Sequence, residues 1–67
     1  MATRIVACRD IRNGMRIMGA DGTAVVTHAE YTWTYDMRVI CYGLTGRNAC
    51  REFVIILGKD DTVTALV

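Results

Sequence analysis

Residues 23–35 read Thr23-Ala24-Val25-Val26-Thr27-His28-Ala29-Glu30-Tyr31-Thr32-Trp33-Thr34-Tyr35. The odd positions Val25, Thr27, Ala29, Tyr31, Trp33 and Tyr35 carry the apolar and aromatic side chains, with one threonine among them. Between them stand the polar His28, Glu30, Thr32 and Thr34. A period of two belongs to a β-strand, whose successive side chains point to opposite faces. This is the clearest periodic signal in the chain, and it predicts a long strand from Thr23 to about Trp33 that turns at Tyr35-Asp36.

Working outward, runs of similar character recur at short intervals with glycine or aspartate between them, and the chain has no proline. They predict strands at Thr3–Cys8, Met15–Met18, Met37–Tyr42 and Cys50–Leu57, with a short closing strand at Thr62–Leu66. Asp21-Gly22 marks a tight hairpin, because glycine can take the positive φ such turns need. Gly43 to Asn48 and Gly58 to Asp61 mark two further turns. No segment spaces apolar residues at i, i+3, i+4 and i+7, so no helix beyond a single turn is expected. Sixty-seven residues make one domain, and a chain of that length buries only roughly 60% of the surface it exposes when unfolded. Short strands, tight turns and terminal strands able to lie side by side favour an all-β fold, a small five- to six-stranded barrel, because closure removes exposed edges.

The segment Asp10-Ile11-Arg12-Asn13-Gly14-Met15-Arg16-Ile17, followed by Asp21-Gly22-Thr23, resembles the opening of SH3-like small-barrel proteins of the actinobacterial and phage type. That opening reads D-[IL]-x-x-G-[MD]-x-[IV] and then DG-T. The resemblance implies an SH3-like barrel that binds protein or nucleic acid without doing chemistry. It also implies a small phage-type protein acting on a host or structural protein.

Composition narrows the function classes. Hydrophobic residues make up 52% of the chain and charged ones 22%, well outside the disordered class. Eight basic residues against seven acidic ones leave a net charge of +1, too little to draw phosphate from a distance. Arg4, Arg9, Arg12 and Arg16 crowd the first sixteen residues, an asymmetry that a solvated surface accounts for. Met1 to Asp10 carry no basic region followed by a long apolar run, so a secretory leader is not expected. The longest apolar run, Phe53–Leu57, falls far short of the roughly 20 residues a spanning helix needs. A cytoplasmic protein is expected, in the host cytoplasm if the source is viral, with no membrane partner.

The residues that could carry chemistry are few. Cys8, Cys41 and Cys50 are odd in number and form no CxxC pair, which excludes a zinc ribbon. Three free, mostly buried thiols in a reducing compartment are expected; a Cys41–Cys50 bridge and a zinc site of Cys8, Cys41, Cys50 and His28 are the alternatives. His28 alternates with Glu30 on a polar strand face, with no nucleophile and no orienting group in sight. Asp60-Asp61 is explained by its turn, and no GxxxxGK or GxGxxG loop is present to cradle phosphate. No catalytic residue, metal or cofactor is expected.

Two surfaces stand out instead. Tyr31, Trp33 and Tyr35 form a row that either faces the core or overruns the barrel as a platform. In the run from Cys50 to Leu57, Phe53, Ile55 and Leu57 share one face while Val54 and Ile56 share the other, so both faces are apolar. A one-layer barrel should be polar outside, and the surplus marks a contact with a protein partner or a second copy. The expected function is a non-catalytic interaction or assembly module that binds through Tyr31, Trp33, Tyr35, Val54 and Ile56. The alternative is a nucleic-acid-binding barrel in which Trp33 and Tyr35 stack on bases while Arg38, Arg47 and Arg51 touch phosphates; its affinity would be weak and salt-sensitive.

Overall fold

The computed structural model describes residues 2–32 and 36–66. They form one antiparallel sheet of six strands: β1 (Thr3–Ala7), β2 (Arg16–Gly19), β3 (Gly22–Tyr31), β4 (Met37–Gly43), β5 (Glu52–Leu57) and β6 (Thr62–Leu66). Across the sheet the order is β1-β6-β2-β3-β4-β5. Two short 3₁₀ turns, Cys8–Asp10 and Gly46–Asn48, complete the regular structure. All six strands lie within a few residues of the positions their β-branched and aromatic runs predict.

The core lies on one face. Val6, Ile17, Ala24, Val26, Met37, Val39, Cys41, Leu57 and Ala65 are buried, together with Cys8 and Ile11 from the first connection. Each strand contributes at least one of them. No second layer of helix or sheet covers that face among the described residues, yet Val39 and Cys41 are fully buried. Only a sheet curled over itself can hide them, as the strong twist of antiparallel strands allows. The expected barrel is met in part. Closing strand β6 pairs with β1 over five residues and with β2 at Ile17–Ala65 and Met18–Thr64, but β1 and β5 stay as the two ends of the order and do not pair.

Three local corrections follow from turn and bulge geometry. The β2–β3 hairpin turns on Ala20 and Asp21, between the paired Gly19 and Gly22, one residue earlier than the Asp-Gly signal suggests. Cys50 sits at φ 62, a left-handed conformation that a strand interior excludes, so β5 starts at Glu52 rather than Cys50. The third correction concerns β3. Its register against β4 shifts between Val26 and His28, leaving Thr27 as an extra, bulged residue.

A one-residue insertion exchanges the faces of a strand. Before the bulge the inward positions are Ala24 and Val26, with Val25 turned away; after it they are Ala29 and Tyr31, which oppose Val39 and Met37. The odd-numbered row is therefore not one face. Thr27 uses its freedom to donate its hydroxyl to the Ile40 carbonyl at 3.1 Å.

The cysteines are free, Cys8 and Cys41 buried and Cys50 exposed, so a Cys41–Cys50 bridge is not formed. Burial pushes the Cys41 thiol up from its ordinary value of 9.0. In the unfolded chain that thiol ionises at its ordinary value, while the folded chain keeps the proton. The resulting stabilisation is complete below the ordinary value and is lost as pH rises through it toward the folded pKa. Stability measured by urea titration should fall on that alkaline limb, and fall less steeply in Cys41→Ala.

Candidate functional site

The antiparallel pairing of β3, β4 and β5 places three rows across the outer face of the sheet. Val25 pairs with Tyr42 and Tyr42 with Glu52; His28 with Ile40 and Ile40 with Val54; Glu30 with Arg38 and Arg38 with Ile56. Burial alternates strictly along β5: Phe53 and Ile55 are half-buried against the core and Leu57 is buried, whereas Val54 and Ile56 are 48% and 57% exposed. Tyr42 is exposed beside them, and Ile40 is half-buried. Direct cross-strand pairs stand about 5 Å apart, so Ile40, Val54 and Ile56 with Tyr42 form one contiguous apolar patch.

A small charged group borders this patch. His28 Nε2 and Glu30 Oε2 are 3.3 Å apart, and Arg38 Nη1 lies 4.0 Å from Glu30 Oε1. All three side chains are about half exposed, and contacts of that kind add little stability in water. Their effect is positional: they fix the polar end of a surface whose other end is aliphatic.

The other side carries an open depression of about 570 Å³ at the β3–β4 end. Ile11, Ala29 and Met37 line it together with Arg9, Arg12, the backbone turn at Asn13, Glu30 at its rim and the 55% exposed Tyr31. Arg12 Nη1 donates to the carbonyls of Arg9 and Ile11 at 2.9 and 3.0 Å, which pins the guanidinium to the connection. The sequence shows Arg9 and Arg12 only as members of a basic N-terminal cluster, because they meet Tyr31 only through the fold.

The predicted contact residues accordingly divide. Tyr31 shares the core-side face with Met37, while Val54 and Ile56 stand on the outer face, and Trp33 and Tyr35 lie outside the described residues. The predicted phosphate contacts gather only in part. Arg38 lies at one end of the β4–β5 ladder. Arg51 lies at the other, where its carbonyl accepts from Gly43 N–H, a separation of roughly 17 Å along the strand at strand rise. Arg47 belongs to the second 3₁₀ turn, at the same end as Arg51, whose N–H donates to Asn48 O at 3.0 Å.

The zinc alternative also disperses, since His28 is on the outer face, Cys8 and Cys41 are buried and Cys50 is in an exposed turn. Among the described residues no three His, Cys, Asp or Glu side chains are grouped to hold a metal ion. Asp61 serves its turn, accepting from Gly58 N–H at 2.8 Å through Oδ2. Among those residues no helix is long and apolar enough to cross a membrane. No protein-family model, no curated protein and no solved structure matches the chain.

Proposed function

We propose that this protein is a non-catalytic interaction module that docks a protein, or a second copy of itself, on the outer side of β4 and β5. The observation that carries the reading is the apolar patch of Ile40, Tyr42, Val54 and Ile56 on a face with nothing packed against it among the described residues. Exposed side chains of this kind, clustered rather than scattered, are the usual mark of a contact surface. The resemblance carried by Asp10–Ile17 and Asp21–Thr23, on a chain that folds as one curled antiparallel sheet, is what supports an SH3-like small-barrel relationship. On that relationship the chain is a phage-type assembly factor working in the cytoplasm, a setting in keeping with three free thiols. The nucleic-acid reading is weaker, because Arg38 and Arg51 sit at opposite ends of one ladder and the net charge is only +1.

Ile56→Asp tests the contact. Position 56 is exposed and opposes Arg38, so the aspartate stays solvated and gains a cationic neighbour in the folded monomer. In an apolar contact the same carboxylate is desolvated. Circular dichroism should be unchanged, while self-association in sedimentation, or retention of a partner captured from the native host, should fall at least tenfold. Unchanged binding by Ile56→Asp would overturn the reading.

A further inference from the structure

The two ends of the sheet are built differently. Proteins normally guard an edge strand with charge, proline or a bulge, since its unpaired N–H and C=O groups invite another chain. Edge strand β1 has Arg4 at its second position. Edge strand β5 carries its one charge, Glu52, at its very start; from Phe53 to Leu57 there is no charge, glycine or proline, and its six pairs with β4 run without a register shift. The hydrogen-bond phase of β5 is fixed by its first turn, where Gly43 N–H donates to Arg51 O at 2.8 Å. Antiparallel ladder bonds alternate along a strand, so Phe53, Ile55 and Leu57 bond to β4. The N–H and C=O groups of Val54 and Ile56 then face the open edge.

We propose that β5 pairs antiparallel with the β5 of a second copy about a two-fold axis at Ile55, joining the two sheets edge to edge. The proposal rests on the reading of the β4–β5 side as a contact surface, names a second copy as the occupant, and moves the contact from the face that Ile40 and Tyr42 share to the free edge of β5. Self-complementarity selects both the partner and the register, because opposed residues in an antiparallel pair share a face. With the axis at Ile55, Val54 meets Ile56 of the second copy on the outer face and Phe53 meets its Leu57 on the inner face. The pairs Phe53–Leu57, Val54–Ile56 and Ile55–Ile55 are all apolar, Glu52 meets Gly58 at the strand end, and Arg51 faces Lys59 beyond it. An axis at Val54 sets Glu52 against Ile56, and an axis at Ile56 turns Glu52 toward Asp60.

A standard interface takes about 800 Å² from each partner, about a sixth of the 4621 Å² this chain exposes. One strand edge supplies less, so a weak dimer that dissociates on dilution is expected.

Sedimentation of the wild type, Val54→Pro and Tyr42→Asp over a concentration series tests this. Proline at 54 removes an N–H that faces the open edge and leaves the β4 ladder intact. Aspartate at 42 alters the outer face of β4 away from the edge. A wild-type dimer, a folded monomeric Val54→Pro and a dimeric Tyr42→Asp are expected. Hydrogen exchange on the wild type serves if Val54→Pro fails to fold: the Val54 and Ile56 amides should lose protection on dilution, and amides that exchange equally fast at all concentrations overturn the pairing. A dimer dispersed by Tyr42→Asp but not by Val54→Pro overturns the edge pairing and leaves face docking standing. A wild type that stays monomeric at millimolar concentration overturns self-pairing while leaving a foreign partner for the same surface. Open-ended growth with concentration overturns the two-fold arrangement in favour of β5 meeting β1 head to tail.

Discussion

Replacing Ile17 with alanine is expected to remove about 2–5 kcal/mol of stability, against a total margin of about 3–10 kcal/mol for a chain of this length. Ile17 sits in β2, the seam between the β1–β6 pair and the β3–β4–β5 meander. It takes part in both ladders, opposite Ala24 on one side and Ala65 on the other. Both neighbours are buried alanines, with no side-chain freedom to swing into the vacated space, so the cavity stays open and its full cost is felt. The β2–β6 ladder has only two residue pairs, which leaves the seam dependent on side-chain packing. Urea unfolding followed by circular dichroism gives the loss. Hydrogen exchange locates it: amides of β1 and β6 should speed up more than those of β4. A loss below about 1 kcal/mol, or uniform acceleration, would show that the two halves are held together elsewhere.

The strands were legible because each is written twice, once in β-branched and aromatic residues and once in the glycine or aspartate that borders it. The two-sided character of β5 was legible for the same reason: five consecutive apolar residues leave no polar face, and the alternation of Phe53, Ile55 and Leu57 with Val54 and Ile56 follows from the pleat alone.

The bulge at Thr27 was not legible. Ala24, Val25 and Val26 are all apolar, so the first half of β3 permits either phase, and only pairing with Cys41 and Ile40 decides where the phase changes. The end of the ladder was hidden as well. Whether β5 reaches β1 depends on strand tilt and stagger around the curl, quantities that no single strand encodes. The depression at Tyr31 is likewise non-local, assembled from the Arg9–Asn13 connection and the distant β3–β4 end.

Alanine in place of Gly22 is expected to be the most damaging of three glycine substitutions, ahead of Gly14→Ala and then Gly19→Ala. Gly22 has φ 115, and a Cβ there would run into the backbone carbonyl of Thr45. That close approach docks the β4–β5 connection onto the β2–β3 hairpin. Leu44 N–H donates to Thr23 O at 2.8 Å, Arg47 N–H to Asp21 O at 2.9 Å and Thr23 N–H to Thr45 Oγ1 at 3.0 Å. Alanine must accept backbone strain of about 1–3 kcal/mol and also push the connection away, weakening hydrogen bonds worth about 0.5–1.5 kcal/mol each. Gly14 separates the two causes, since its φ is 85 but no atom lies within 4 Å of a Cβ; only the strain should be felt. Gly19 has neither a positive φ nor a neighbour within 4 Å. Its alanine variant should be neutral or gain about 0.4–1 kcal/mol by restricting the unfolded chain. Urea midpoints of the three variants rank the effects directly. Equal losses at Gly22 and Gly14 would mean that the connection yields freely and that the hairpin does not depend on its docking.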